Sequence, residues 1–559
     1  MTTEYINPFD LTLDSAELYN LSSGTPVNKD ITEGIFDILT NGKSANETFI
    51  KDRLDSAEVK FHDPIKRDKL TLFSNSRKKA QVKVNGKVKV IEANRDVLGK
   101  LLATSTKHGK IIDFKKALEY PLTPVPLSLT NADGTRRTTQ KSALMDILIE
   151  NNSRDTMDPE NILPAKAHTI AYVVDLMALI RTFTSHPDTY EGFANKIFAS
   201  IPKGYKRVDI VADSYLPMSI KTAERNKRGM APKVIISSTQ SKLPRDFKSF
   251  LASGENKTRL IELIRSVLVA GKESILADLK CDCIHFSSYK ECILVTKDDV
   301  RLVPDLSSNQ EEADTKVILH ADHALRNNDE GIAIIRSHSG DTDIAIIALS
   351  HFANNGDRVI LDTNTGKYRK AIKLSDIDLT AAQKLCLVGF HAFTGNDYNS
   401  AFFRKGKRMC WKLLEAKPRF VDTFCHLGES DVLSADLTVE LEEYVSLLYG
   451  VKGKHINEAR YEIFDRKLTR EKKITDIALL PPCQQTLQLH TLRANFIARE
   501  WRSAGINNYE STHAGENGWN GKMEPKWIQT MMPEDVQELF IDNDEEDFSD
   551  CRYLSDSED

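Results

Sequence analysis

The sequence predicts an α/β fold in which a mostly parallel β-sheet is flanked by helices, with an α+β region before it and a helical region after it. Two observations lead to this prediction. From residue 168 onward, short apolar runs typical of buried strands alternate with stretches of helical periodicity. Residues 437–505 then show helical periodicity. Because strands joined through helices form parallel sheets with right-handed crossovers, a mostly parallel sheet is expected.

The alternation of strands and helices extends to about residue 400. AYVVDLMAL (171–179) predicts a strand ending near Asp175, and RVDIVADSY (207–215) predicts a second strand ending in Asp213. EEADTKVILHADHAL (311–325) predicts a helix that opens with acids. GIAIIRSHSGDTDIAIIAL (331–349) predicts a strand, a glycine-containing turn and a helix. The stretch 219–306 reads as helical and mixed, with two helices at 246–252 and 256–271.

The predicted organisation has five parts. They are a disordered segment at 1–30, an α+β region at 31–160, the α/β core at 161–430, a helical region at 431–540 and an acidic disordered tail at 541–559. In the α+β region, QVKVNGKVKVIE (81–92) alternates valine and lysine around Asn85-Gly86, which predicts a β-hairpin.

Composition narrows the class of protein. The chain has 559 residues, 40% hydrophobic and 28% charged, which is typical of a globular protein. It lacks a long apolar run and the order of a signal peptide, and its eight cysteines include no C-x-x-C pair, so an intracellular, reducing compartment is expected. No membrane partner is predicted.

Charge is distributed unevenly along the chain. Residues 541–559 hold nine acids and one arginine; without this net charge of −8, the overall −5 becomes +3 for residues 1–540. The tail is interpreted as a solubilising end, or as a protein-binding or phosphorylated segment around Ser555 and Ser557. A mildly basic body and a lysine-rich hairpin are compatible with a nucleic-acid partner and a nuclear location.

Carboxylates follow the predicted strands and turns. Asp341 and Asp343 are two residues apart, so in an extended segment both would point to one face. Ligands of parallel sheets bind beyond the carboxyl ends of the strands, where like charges would repel unless a cation lies between them. The candidate metal ligands are Asp175, Asp213, Glu312, Asp314, Asp341, Asp343 and Asp397.

The chemistry of these ligands points to Mg²⁺ or Mn²⁺. Both ions are hard and prefer oxygen, whereas zinc sites favour cysteine and histidine. Two such ions can generate a hydroxide and stabilise the leaving oxygen during phosphodiester hydrolysis. Cys281, Cys283 and His285 form the nearest zinc-like group, but they lie on a strand pattern without a fourth ligand nearby.

The order VVDLMAL, VADS, EEADT, SGDTD and GNDY resembles the PIN-like nucleases of the flap-endonuclease/XPG type. The resemblance covers about 230 residues, implies a PIN-like fold, and assigns all seven carboxylates to a metal cluster. Three cations after Asp213 are similar to the basic helix with which that family grips the scissile phosphate. These cations, Lys221, Arg225 and Arg228, are the candidate catalytic residues besides the metal ligands.

Between Asp213 and Glu312, where the flap-endonuclease group threads single strands, the helices at 246–252 and 256–271 are interpreted as an arch or simply as a cap. The sequence departs from that group in the region that binds duplex DNA. Its glycine-rich duplex clamp corresponds here to NSAFFRKGKRMCWKLL, where only Lys405 and Lys407 around Gly406 are similar. DPIKRDKL, YPLTPVPLSL and GFHAFTGND also resemble a multicopy animal family of suspected mobile-element origin, whose members often end in a CXC-like module. Residues 541–550 read IDNDEEDFSD instead.

Three functions are consistent with these patterns. The first is a metal-dependent nuclease acting on DNA, or less favourably RNA, with a free or branched end. The second is an inactive PIN-like binding protein whose basic residues, including Arg493 and Arg499 on an amphipathic stretch, hold nucleic acid. The third is a scaffold whose tail and helical region recruit proteins. Retention of all seven carboxylates favours the nuclease.

Overall fold

The computed structural model describes most of the chain. The described residues are 29–56, 59, 61–63, 79–84, 87–92, 97–99, 101–102, 112–150, 162–163, 169–216, 219–226, 233–328, 330–338, 340–453, 455–471, 475–510 and 513–528. The predicted acidic tail and residues 1–28 of the predicted disordered segment lie outside these ranges.

Helices contribute the larger part of the secondary structure. They begin with α1 (Lys29–Phe36), α2 (Ile38–Ile50), α3 (Phe114–Ala117), α4 (Ser142–Glu150), α5 (Leu176–Arg181), α6 (Tyr190–Ser200), α7 (Ile220–Asn226), α8 (Phe247–Phe250), α9 (Gly254–Ala270) and α10 (Lys272–Leu279). They continue with α11 (Ala313–Arg326), α12 (Thr342–His351), α13 (Ala381–Phe393), α14 (Lys407–Ala416), α15 (Phe420–His426), α16 (Ala435–Leu448), α17 (Ile456–Thr469) and α18 (Gln484–Arg502).

The strands form a hairpin and one large sheet. The hairpin pairs β1 (Lys79–Val84) with β2 (Lys87–Glu92) in antiparallel register, as the alternation of valine and lysine predicted. The other strands are β3 (Thr169–Asp175), β4 (Arg207–Val211), β5 (Cys283–Ser288), β6 (Glu291–Thr296), β7 (Val300–Leu302), β8 (Ile332–Ser337), β9 (Val359–Thr363) and β10 (Lys370–Lys373). They lie in the order β10-β9-β8-β3-β4-β5-β6-β7.

The sheet is mixed, with a parallel centre and antiparallel edges. Its five central strands, from β9 to β5, pair in parallel, but β10 at one edge and β6 and β7 at the other pair antiparallel. The prediction of an α/β sheet flanked by helices is confirmed, whereas residues 283–302, read as helical and mixed, supply three strands of this sheet.

Alternation along the central strands explains the layers on both sides of the sheet. On β3, Val173 belongs to one apolar cluster and Tyr172 and Val174 belong to the other. Successive side chains of a strand point to opposite faces, so each face of the sheet buries its own layer of helices. One layer contains α11, α12 and α13, and the other contains α6 and α9.

The helical C-terminal part packs on the first of these layers. Leu441 on α16, Ile463 on α17 and Ile497 on α18 are buried in the same apolar cluster as Phe390 on α13. The predicted helical region is therefore present, and it shares a core with the α/β sheet. This arrangement brings α18 close to the loop that follows α13.

Candidate functional site

Three helix N-termini meet at the carboxyl edge of the central strands, and each carries a predicted carboxylate. Asp175 ends β3 and caps α5, where its Oδ1 accepts a hydrogen bond from the backbone N–H of Met177 at 2.8 Å. Asp341 caps α12 and accepts from the backbone N–H of Asp343 at 3.0 Å. Glu312 is the N-cap residue of α11. Helix N-termini favour negative charge, so this geometry concentrates carboxylates at one edge.

Asp341 and Asp343 reach that edge differently from the predicted extended segment. Strand β8 ends at Ser337, and the chain turns through Gly340 before α12 begins. Gly340 has a φ of +64°, and a Cβ at this position would lie 2.1 Å from the Asn364 side-chain oxygen, so the turn requires glycine. The two aspartates therefore converge through a helix cap instead of through strand alternation.

The tightest group of carboxylates contains Asp314, Asp341 and Asp343. One ligand oxygen from each lies within 4.8 Å of the other two. Asp314 lies in the first turn of α11, Asp341 is the N-cap residue of α12, and Asp343 lies in the first turn of α12. The two helices flank the switch point of the sheet, where the strand order continues on the other side of β3. Ligands of open α/β sheets bind at such a crevice. The three oxygens are close enough together to contact a single divalent cation.

Lys141, from the N-terminal region of the chain, contacts this cluster of aspartates. Its Nζ lies 2.9 Å from Asp343 Oδ2, 2.8 Å from Asp397 Oδ2 and 3.8 Å from Asp341 Oδ1. Burial alone would lower the pKa of Lys141, but the nearby carboxylates outweigh burial and raise it. The ammonium group is therefore charged, and it joins Asp397 to the triad.

A second group of predicted ligands surrounds Lys221. Its Nζ donates to Asp213 Oδ1 at 2.9 Å and lies 4.0 Å from Glu312 Oε1. Asp213 also accepts from the backbone N–H of Ala313 at 2.9 Å, which ties it to the start of α11. The Tyr398 hydroxyl donates to Glu312. Asp213, Glu312 and Lys221 thus lie together.

The carboxyl groups influence one another's ionisation. Burial, and then the negative charge of Asp213, raise the pKa of Asp175 to about 6. Burial and the charges of Asp341 and Glu312 raise the pKa of Asp314 well above its usual value. The pKa values of Asp341 and Glu312 are also raised, chiefly by burial. Such shifts mean that ionising the whole group is costly without added positive charge.

His391 contacts Asp343, one of the three carboxylates of the triad. It is fully buried, and its Nε2 lies 2.8 Å from Asp343 Oδ1. Burial holds the pKa of His391 well below its usual range, so the neutral ring donates its Nε2–H to the carboxylate. The ring stacks on Trp501 with centroids 5.5 Å apart. A hydrogen bond of this kind orients a ligand carboxylate.

Of the three predicted catalytic cations, only Lys221 can be placed. Its ammonium lies among the carboxylates, as described above. Arg225 belongs to α7, and neither its side chain nor Arg228 lies within the described part of the chain. The predicted basic helix is thus represented in this site by Lys221.

The residues predicted to bind nucleic acid behave differently from exposed cations. Lys407 is 1% exposed and donates to the His391 carbonyl and the Thr394 hydroxyl at 3.0 and 2.8 Å. Arg493 is 0% exposed and donates to the carbonyls of Gly518 and Lys526. Both side chains are buried and hydrogen-bonded within the chain, so the predicted nucleic-acid contact does not fit them. A buried cation needs internal acceptors, and these carbonyls provide them.

Lys405 and Arg499 are only partly buried. Lys405 Nζ lies 4.7 Å from the centre of the Tyr449 ring. Arg499 pairs with Asp431 and donates to the Tyr509 hydroxyl. Both positive charges therefore have partners within the chain, and their predicted contact with nucleic acid stays a prediction.

The zinc-like group has another role in this structure. Among the described residues, the carboxylate triad is the group of three or more ligand atoms close enough for one metal ion. His285 Nδ1 lies 3.0 Å from the buried Asp209, which also pairs with Arg207. Burial raises the pKa of Cys283 to about 11, which keeps its thiol protonated. These groups form part of a buried ion-pair cluster.

Sequence reasoning missed Lys141, His391 and Lys316 as supports of the site. Lys316 Nζ donates to the Ala212 carbonyl and the Ser214 hydroxyl, which brace the segment carrying Asp213. Its position on the acidic helix α11 was a usable signal, because Asp314 and Lys316 are only two residues apart. Lys141 offered no such signal, since it is 202 residues from Asp343.

Buried lysines make the stability of the fold depend on pH. Burial lowers the pKa of Lys407 from 10.5 to about 7 and that of Lys316 to about 8. Between those values and 10.5 the unfolded chain binds more protons, so the free energy of unfolding rises with pH over this window. We expect Lys407→Met to reduce the rise between pH 7 and 10, measured by urea unfolding. Exposed Lys412→Met on α14 is the control, and equal slopes for Lys407→Met and the unmodified protein would contradict the assignment.

None of the helices in the described ranges is both long and apolar enough to cross a membrane. Comparison of the chain with family models, with curated proteins and with solved structures found no match. The resemblance to PIN-like nucleases and to a multicopy animal family therefore stays a prediction, and the site is interpreted from its own geometry.

Proposed function

We propose that this chain is a divalent-metal-dependent nuclease that hydrolyses phosphodiester bonds. The observation that carries the proposal is the convergence of Asp314, Asp341 and Asp343, with one oxygen of each within 4.8 Å of the others. This convergence lies at the crevice of the sheet where ligands of α/β folds bind. The neutral His391 behind Asp343 supports a fixed orientation of one of the three carboxylates.

The donor set fits Mg²⁺ or Mn²⁺. The three residues offer hard carboxylate oxygens, which these ions prefer. Burial, and then the charges of neighbouring carboxylates, raise the pKa values of Asp314 and Asp341. Asp314, Asp341 and Asp343 would hold one ion, whereas Asp175, Asp213 and Glu312 do not form a second group of that kind among the described residues. When bound, these ions would act as Lewis acids on the phosphodiester and lower the pKa of water.

The chain's own groups would bind and orient the substrate. Lys221 lies beside Asp213 and Glu312 and is partly exposed, so it can donate to a phosphate oxygen at the edge of the site. A lysine there would stabilise the negative charge that grows on the phosphate oxygens during hydrolysis. DNA is the favoured substrate over RNA, and a nuclear location follows from that proposal; the resemblance to flap endonucleases suggests free or branched ends.

An inactive nucleic-acid-binding protein is the second candidate, and Lys141 favours it. The Lys141 ammonium contacts three carboxylates and supplies positive charge without a metal. If Lys141 stays paired with these three aspartates, they need no divalent ion to balance their charge. Lys221 would then only bind the phosphates of the nucleic acid. The nuclease requires that a metal ion bind among these carboxylates, whereas the binding protein does not.

The test of the nuclease proposal is direct. Purified protein is incubated with labelled flap, single-stranded and duplex DNA and with the matching RNAs, in Mg²⁺, Mn²⁺ or EDTA. We expect cleavage with Mg²⁺ or Mn²⁺ and none with EDTA. Cleavage in EDTA, or saturable binding without product under either metal, would contradict the nuclease proposal; the second result would support the binding protein.

A further inference from the structure

A cavity of about 260 Å³ opens beside the carboxylate group, between α18 and the N-terminal ends of α7 and α11. Its apolar walls come from residues of several elements: Leu216, Ile220, Tyr398, Phe496, Trp501 and Tyr509. Glu312 and Lys221 line the same cavity. The cavity is therefore continuous with the proposed active site, because those two residues belong to both.

The aromatic wall is held in place before any ligand arrives. Trp501 is 3% exposed, and its ring stacks on His391 at an interplanar angle of 21°. Phe496 packs edge-on against Trp519, with ring centroids 5.3 Å apart. A cavity whose walls are fixed by such contacts binds a flat ligand without a large ordering cost.

Two chains of contacts connect the cavity to the carboxylates. Trp501 stacks on His391, and His391 donates to Asp343. In the second chain of contacts, Tyr398 lines the cavity and its hydroxyl donates a hydrogen bond to Glu312. A ligand seated in the cavity is thus placed at a defined position relative to both groups of candidate metal ligands.

The polar part of the lining is rich in acceptors. Glu311 and Glu500 contribute carboxylates to the lining. The Gln310 side-chain nitrogen donates to the carbonyls of Ala504 and Ile506 at 3.0 and 2.7 Å, while its oxygen is buried without a partner among the described residues. Carboxylates repel phosphate, but amide and carboxylate oxygens accept from exocyclic amino groups. This part of the lining therefore suits the base of a nucleotide, whereas Lys221 is the part of the lining that suits its phosphate.

We propose that this cavity binds one unstacked nucleobase of the nucleic acid, with a preference for bases that carry an exocyclic amino group. The inference rests on the proposed function. The base stacks on the aromatic wall, as bases of single-stranded nucleic acids do on aromatic side chains. Its phosphate stays near Lys221, so the cavity sets which phosphodiester bond reaches the carboxylates.

The test uses single-stranded DNA with 2-aminopurine at successive positions, in Ca²⁺ so that binding is measured without turnover. We expect quenching of 2-aminopurine fluorescence at one position. Leu216→Trp, which fills the cavity, should abolish that quenching and weaken binding by about tenfold. The matched control is Val439→Trp on α16, where the side chain is 53% exposed and outside the lining.

Ile220→Trp fills the cavity from α7 and provides a second variant if Leu216→Trp fails to fold in circular dichroism. Equal quenching at every position, or quenching that survives a folded cavity-filled variant, would overturn the base-binding inference. Stronger binding of oligothymidine than of oligoadenosine would overturn the preference for amino-bearing bases. Cleavage in Mg²⁺ is measured separately, so a protein that quenches but never cleaves contradicts the nuclease proposal alone.

Discussion

Replacing Asp314 with asparagine is expected to stabilise the metal-free protein and to lower Mg²⁺- or Mn²⁺-dependent cleavage by about a thousandfold. Asp314 is partly buried among like charges, and burial with the charges of Asp341 and Glu312 raises its pKa well above 3.8. Asparagine keeps the shape and removes the charge. The free energy of unfolding at pH 7 should therefore rise.

The pH dependence of that gain follows from the raised pKa of Asp314. Below 3.8 the carboxyl group is protonated in both the folded and the unfolded chain, so the charge costs nothing there. As pH rises above 3.8, the unfolded chain ionises first and the wild-type fold loses stability. The difference between Asp314→Asn and the wild type should thus be small in acid and largest above the folded-state pKa.

The measurements are thermal melts with and without Mg²⁺, and cleavage assays on the same preparations. The wild type should gain stability from Mg²⁺, whereas Asp314→Asn should gain little. Asp357→Asn, at an exposed aspartate in the turn Gly356–Arg358, is the matched control and should behave as the wild type does. Undiminished cleavage by a folded Asp314→Asn variant would remove Asp314 from the proposed site.

Replacing Lys141 with methionine is expected to destabilise the metal-free protein by about 3 kcal/mol. Its ammonium lies 2.9 Å from Asp343 Oδ2 and 2.8 Å from Asp397 Oδ2, and Asp343 is nearly fully buried. Removing one partner of a buried ion pair leaves the other charge uncompensated, which costs more than the pair contributed. Methionine fills the same volume, so lost packing contributes little to the change.

The effect of added Mg²⁺ or Mn²⁺ on the stability of Lys141→Met distinguishes two roles of Lys141. For a nuclease, the ions should restore most of the lost stability, because they neutralise the carboxylates that Lys141 leaves. For a binding protein in which Lys141 is the permanent counter-ion, the ions should restore nothing. Urea unfolding at several metal concentrations measures this, with Lys115→Met on the exposed side of α3 as control. A Lys141→Met variant as stable as the wild type would contradict the described ion pairs.

Much of the candidate site could be predicted because its acids follow local patterns. Asp175 ends an apolar strand, and Asp314 and Asp341 lie at the beginnings of periodic helices. Parallel strands deliver the segments that follow them to one edge, so Asp175 at the end of β3 and Asp341 after β8 were expected to lie near each other. The one local error concerned Asp343, which reaches the group through the first turn of α12 rather than along an extended segment.

Local patterns were less informative at the edges of the sheet and for long cationic side chains. Strand β7 has only three residues, and the apolar run of β6 (ECILVT) lies in a stretch that was read as helical and mixed. Arginines on an amphipathic helix are usually exposed, yet Arg493 is buried because carbonyls from residues 518 and 526 accept its hydrogen bonds. Nothing in the sequence around Arg493 encodes those acceptors.

The sequence alone thus determined the α/β class and the helical C-terminal part, and it pointed to the carboxylates of the candidate site. These depend on the periodicity of neighbouring residues and on where strands end. Only the tertiary structure decided that the sheet edges are antiparallel, that Lys141 lies among the acids, and that an aromatic cavity adjoins Glu312. The antiparallel edges join consecutive strands, whose direction depends on the turns between them. The other two features depend on which distant side chains pack together, and Lys141 and Asp343, 202 positions apart, leave no mark on each other's local pattern.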